Sequence, residues 1–199
     1  MRRQRAILVV GPTGSGKSPL GDWLETHGLR GRRCHHFDFG ANMRAASGLS
    51  PEETRFLPEV LKRGALLENE TFHIALKILD AFLATRKPQP DDLLVMNGLP
   101  RHVGQAVGLD GHLEFVAVVH LVCDAATVWD RLRNNTGGDR TTRDDDSREL
   151  VEKKLRIFNE RTAPLIAHYR QRGVPVVEVK VGVETQQAEM AKSLFIVAT

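Results

Sequence analysis

The chain is poor in the residues that would place it in several large protein classes. Its 199 residues include two cysteines, Cys34 and Cys123, too few for a disulfide framework or a four-cysteine zinc site. A reducing compartment, the cytoplasm, is the expectation that follows. No apolar run approaches the roughly 18 residues needed to cross a bilayer. The start, Met1-Arg2-Arg3-Gln4-Arg5, is basic, but the apolar stretch behind it is about five residues, short of a signal-peptide core. Net charge is +3, and no basic block interleaved with aromatics suggests a nucleic-acid surface. The arginines stand singly, which suits gripping small polyphosphates. Repeats, low-complexity tracts and interdomain linkers are also missing, so one domain with a sizeable core is expected.

Against that background one octet stands out. Gly11-Pro12-Thr13-Gly14-Ser15-Gly16-Lys17-Ser18 matches the phosphate-binding pattern G-x-x-x-x-G-K-[ST] at every fixed position. The apolar run 6–10 before it reads as a buried parallel strand, and 20–27 after it as the start of a helix. Gly11, Gly14 and Gly16 permit positive φ and let backbone N–H groups approach a phosphate. Those donors converge with the positive end of the following helix, a nest for an anion. In such a loop Lys17 reaches the terminal phosphates and the Ser18 hydroxyl ligates magnesium.

Apolar runs alternate with helical patterns along the rest of the chain, which argues for a parallel sheet with helices on both faces. Strands are expected at 34–37, 93–96, 115–122 and 174–181. The run 115–122 is the longest and reads as a central strand. Residues 147–172 carry Val151, Leu155, Phe158, Leu165 and Tyr169 near the 3.6 period, one buried stripe, with Pro164 expected to kink the helix. Residues 40–86 are helical and read as a cap standing off the sheet. The polar, glycine-containing stretch 134–147 reads as a mobile lid. The core would then comprise 1–39, 87–133 and 148–199.

This order of features resembles the nucleoside monophosphate kinases, the adenylate kinase family in particular. Beyond the loop, the resemblance rests on Phe39-Gly40-Ala41-Asn42-Met43-Arg44, on Asn97-Gly98-Leu99-Pro100-Arg101 followed by Gln105, and on Arg143-Asp144-Asp145-Asp146 with the later Leu155 and Pro164-Leu165-Ile166. It implies a three-layer α/β P-loop fold with a parallel sheet of about five strands. The implied reaction is phosphoryl transfer from ATP, with Mg2+, to a nucleoside monophosphate, AMP first among them because Gln105 matches the adenine-reading position. ATP would lie on residues 11–18 and Pro19, flanked by Arg131 and Gly182. Phe39, Gly40, Arg44, Gly98, Arg101 and Gln105 would hold the acceptor. Lys17, Arg101, Arg140, Arg143 and Lys154 would stabilise the transferring phosphoryl, and Asn97 would join Ser18 at the metal through water. The family also implies a short lid without zinc, a monomer, and nucleotides as the only partners.

Several positions depart from the family pattern. Asn97 stands in place of an aspartate that helps orient the magnesium shell, and Ala41 also replaces an aspartate. Pro19 removes an N–H that would face the α-phosphate, Phe39 replaces a small hydroxyl residue, and Lys154 replaces an arginine. Asn135 stands near the usual place of a second lid arginine. These departures keep two alternatives open: a different phosphate acceptor, or a nucleotide-binding regulatory protein with little catalysis. Leu61, Leu66 and Leu67 either line an acceptor pocket or fill the core, and Gln105 either reads a base or is an exposed helical residue. His35 and His36 beside Asp38 invite a metal site, but adjacent strand residues point to opposite faces.

Overall fold

The structure is a computed structural model describing residues 3–139 and 147–194. Among these residues five strands, β1 (Gln4–Val10), β2 (Cys34–Asp38), β3 (Leu93–Asn97), β4 (Leu113–Val122) and β5 (Val176–Lys180), form one sheet in the order β2-β3-β1-β4-β5. Every pairing is parallel. All five strands fall where apolar runs place them. The long β4 is an interior strand as its run suggests, second from an edge, while β1 holds the middle place. Run length reports how much of a strand is buried, not how many neighbours flank it on each side. β5 opens at Val176 because Pro175 has no N–H for the ladder; its carbonyl still accepts from the Val118 amide at 2.8 Å.

Alternation along the strands builds the two helical layers. Ala6, Leu8 and Val10 of β1 face one layer, while Ile7 and Val9 face the other. The first contains α4 (Phe72–Arg86), α5 (Val103–Leu109) and α8 (Pro164–Gln171), which contribute Ile78, Leu79, Leu109, Leu165 and Tyr169. The second contains α1 (Lys17–His27) and α9 (Gln187–Leu194), through Leu20, Leu24, Met190 and Leu194. A register slip where β4 passes Ala6 and Ile7 reverses the parity of β4. Phe115 and Val118 therefore share one face, and Ala117 and Val119 the other. This is the three-layer α/β architecture of the P-loop NTPases.

The helical stretch between β2 and β3 divides. α4 belongs to the sheet layer, where the Phe82 ring meets Phe37 edge-on at 5.0 Å. Only the part ahead of it, α2 (Phe39–Arg44) and α3 (Pro51–Lys62), reaches across the carboxyl ends of the strands. Pro51 and a reciprocal capping box start α3: Glu53 N donates to Ser50 Oγ, and Ser50 N to Glu53 Oε2. Lys77 of α4 donates to Glu53 Oε1 at 2.7 Å, tying cap to layer. The expected long helix at 147–172 is broken into α7 (Arg148–Ile157), a π turn at Phe158–Thr162, and α8 starting on Pro164. Proline cannot donate one turn back, so the chain widens and Ala163 N reaches Phe158 O at 2.8 Å. No helix among the described residues is long and apolar enough to cross a membrane.

Hydrogen bonds from Lys77 and from the Ser50 amide hold the Glu53 carboxyl down at about 2, from an ordinary 4.5. With the folded value the lower, this stabilisation is complete above about pH 4.5 and is lost as pH falls toward 2. The melting-temperature gap between wild type and Glu53→Gln is therefore expected to be widest near neutrality and to close through that acid range. A gap independent of pH would show that the charge of Glu53 plays no part.

Candidate active site

β1 is followed in the chain by β2 on one side of the sheet, whereas β3 leads on to β4 on the other. Such a switch of direction opens a crevice at the carboxyl ends of the strands, and the glycine-rich loop fills it between β1 and α1. Gly14 and Gly16 take φ of 75° and 95°, the left-handed region that favours glycine. Gly11 is needed for a different reason: a Cβ there would lie 2.7 Å from Ser15 Oγ and 3.0 Å from Leu121 Cβ. Lys17 Nζ donates to the carbonyls of Gly11 and Pro12 at 2.9 and 2.7 Å. Pro19 sits in the first turn of α1, where a backbone N–H has no intrahelical acceptor, so the ring costs the helix nothing.

Facing the loop is a wall built from α2, α3, the end of β3 and α7. One cleft is lined by loop residues Gly11, Thr13, Gly14, Gly16, Lys17 and Ser18, and opposite them by Phe39, Gly40, Arg44, Leu61, Leu66 and Leu67. Gly98, Arg101, Gln105, Arg131, Lys154 and Asn97 line it too. Residues far apart in sequence thus share one space. Phe39, Leu66 and Leu67 are buried, so they serve as cleft wall and as core together. Pro12, Ser15, Pro19 and Gly182 are not part of this lining.

The cations of the cleft differ in their surroundings. The walls strip water from the Arg101 guanidinium, pulling its pKa down to about 10, and it meets no acidic partner among the described residues. Desolvating a cation without pairing it is costly, and an anion entering the cleft would relieve that cost. Arg44 is exposed at the rim. Arg131 is buried and committed: its Nε donates to Gly14 O at 3.0 Å, and its Nη1 to the carbonyls of Gly182, Val183 and Thr185 at 2.7, 3.1 and 2.9 Å. It bolts the phosphate loop to the segment between β5 and α9. Burial lowers its pKa as well. Arg140 and Arg143 lie outside the described residues.

Gln105 is neither exposed nor open. It is buried; its Oε1 accepts from Arg101 N at 2.7 Å and its Nε2 donates to Leu67 O at 2.8 Å. The amide thereby anchors the backbone of Arg101, whose carbonyl accepts from Thr162 Oγ1 at 2.8 Å. Thr162 and Phe158 of the π turn also line the cleft. The expected reading of the sequence missed them because their placement depends on how the broken helix returns.

Asp38 was legible only as a neighbour of two histidines, yet it lies in the cleft. Ser18 Oγ donates to its Oδ2 at 2.6 Å, and Asn97 Nδ2 donates to the same oxygen at 3.0 Å. A hydroxyl and a carboxylate at the loop serine are hard oxygen donors of the kind magnesium takes, one or two carboxylates and phosphate oxygens being its usual protein-site shell. No group of three or more His, Cys, Asp or Glu that could hold a metal occurs among the described residues. The histidines go elsewhere: His35 pairs with Asp92 and His36 with Asp22, both at 2.8 Å and from opposite faces of β2. Burial pushes the Cys34 thiol up to about 12 and raises that of Cys123, just past the end of β4; neither is activated as a thiolate.

A phosphate-loop motif at the strand ends, sharing one cleft with a desolvated arginine, is the kind of arrangement that phosphoryl transfer uses, and the class is that of the P-loop kinases. No family model matches the chain. Known proteins do. An adenylate kinase of Parvibaculum lavamentivorans is 31% identical over 179 residues, covering 84% of this chain and 80% of its own length. One from Synechococcus sp. (strain CC9311) is 32% identical over 177 residues, covering 86% and 87%. One from Sinorhizobium medicae is 30% identical over 203 residues, covering 94% and 98%. The chain belongs to the adenylate kinase family and is an enzyme of the nucleoside monophosphate kinase type.

Truncating Arg131 to leucine leaves several loop carbonyls without their donor. The expected cost is about 3 kcal/mol, a drop of roughly 6–12 °C in Tm for a chain of this size. Arg131→Lys should recover part of that loss. Thermal unfolding followed by circular dichroism measures both, and an unshifted Arg131→Leu would show that the bolt is not structural.

Proposed function

We propose that the enzyme transfers the terminal phosphoryl of ATP to AMP, giving two ADP. The observation that carries this reading is the desolvated Arg101, which lines the same cleft as the phosphate loop and has no acidic partner among the described residues; there it would hold the acceptor's phosphate in line with the donor's. Lys17 would exchange its loop carbonyls for the β and γ phosphates, while the loop N–H groups cradle them. Arg44 and Lys154 would add positive charge from the cap and from α7, and Arg140 and Arg143 are the further cations we assign to the transferring phosphoryl. A planar guanidinium suits this task because it offers phosphate a rigid fork. Magnesium, held at Ser18, would neutralise charge on the β and γ oxygens. With little covalent work left to the protein, rate comes from holding the reactants about 3–3.5 Å apart and excluding water. Pro19 removes one N–H that would otherwise face the α-phosphate. We place the protein in the cytoplasm as a monomer.

A second acceptor is favoured by one observation. Both ends of the Gln105 amide are engaged with backbone, so reading adenine requires those bonds to be exchanged. Phe39 and Ala41 also alter the acceptor side, which suits another nucleoside monophosphate.

The test is diphosphate formation from ATP and magnesium with AMP, GMP, CMP, UMP and dAMP, each product resolved by chromatography. ADP formation with AMP at or above about 1 s⁻¹ is the expected result. Turnover on another monophosphate alone would move the acceptor. ATP binding without turnover on any of them would overturn the enzymatic reading. Lys17→Met is expected to lower kcat by at least about 100-fold with the fold intact, and undiminished transfer by that variant would remove the loop from the mechanism.

A further inference from the structure

The register of the sheet aligns three residues at its carboxyl edge: Val9 of β1 pairs with Asn97 of β3, and Asn97 with Asp38 of β2. Asp38 and Asn97 therefore stand side by side next to the first turn of α1, which presents Ser18. The two oxygens of Asp38 have different duties. Oδ1 accepts from Ala41 N at 2.9 Å and caps α2. Oδ2 accepts from both Ser18 Oγ and Asn97 Nδ2. Asn97 Nδ2 also donates to Ser18 Oγ at 3.0 Å. The buried carboxamide thus turns its N–H groups, and not its oxygen, toward the serine.

A cation beside Ser18 needs oxygen lone pairs and negative charge, and in this orientation Asn97 supplies neither. Asp38 supplies both. A second carboxylate at position 97 would put two like charges within about 3 Å, a strongly unfavourable arrangement in a sheltered site. An amide there removes the repulsion and contributes a donor that holds the carboxylate still. Asp38 and Asn97 are consequently a matched pair.

We infer that Asp38 is the carboxylate of the magnesium site and that Asn97 is its neutral positioning partner. The charge that the family resemblance puts at the end of β3 has moved one strand across, to the end of β2. This inference rests on the reading of the cleft as a magnesium-dependent ATP site. It also accounts for how the enzyme dispenses with the acidic residues missing at positions 97 and 41.

The test separates metal binding from catalysis by using Mn2+ as probe and a non-hydrolysable ATP analogue. Free Mn2+ is counted by electron paramagnetic resonance, and analogue affinity is measured separately in EDTA. Asp38→Asn keeps an oxygen to cap α2. It is expected to weaken Mn2+ binding to the protein–analogue complex by about 10-fold to 100-fold, with no loss of analogue affinity in EDTA. The exchange variant Asp38→Asn/Asn97→Asp should restore Mn2+ affinity to within about threefold of wild type. Mn2+ affinity in Asp38→Asn within about twofold of wild type would overturn the assignment. Should that variant fail to fold, Asn97→Asp decides: two facing carboxylates predict a lower Tm than wild type in EDTA and a larger rise with Mn2+, and equal shifts would sink the idea. Failure of wild type to bind the analogue even in EDTA would instead bring down the ATP-site reading, and this inference with it.

Discussion

Parallel strands cannot be joined by tight turns, so each connection must cross the sheet and every strand of one sense ends on the same edge. In this chain that edge collects the phosphate loop after β1, Asp38 at the end of β2, and Asn97 at the end of β3 with the segment up to Arg101. The hydrogen-bond register, not local sequence, sets which of those residues meet. Because β1 pairs with β3 and β3 with β2, the loop opens toward the two strand ends that carry the acid, the amide and the arginine. The interleaving of a doubly wound sheet is thus the constraint on which the site depends.

Around that edge the protein assigns its cations to two kinds of work. Arg131 is spent on backbone carbonyls and fixes the shape of the loop. Arg101 is held by its backbone, through Gln105 and Thr162, so its guanidinium stays available in the cleft. The difference is one of partners: the Arg131 guanidinium is surrounded by carbonyls and acts as a strut, whereas that of Arg101 has no acidic partner among the described residues. Both lose hydration, and both pKa values fall for that reason.

The cap is coupled to the core by polar and apolar contacts of unequal reach. Glu53 joins the start of α3 to Lys77 of α4, and Leu57 and Val60 pack into the same core as α4.

Several features were determined by the sequence alone. The phosphate loop needs only its own glycines, lysine and serine, and apolar runs announce buried strands wherever they fall, so five strands, the loop and the break at Pro164 were legible without neighbours. Strand order was not, because β1 and β4 carry similar apolar runs and only pairing decides which is central. The same limit hid the roles of individual side chains. Arg131 acts on Gly14, 117 residues away; Gln105 closes on Leu67, 38 away; and Asp38 meets Asn97 across 59 residues. Local pattern specifies what a segment becomes, since backbone geometry and burial are felt residue by residue. Which polar groups face one another was decided only when the strands found their register, since that partnership belongs to pairs of segments and not to either one.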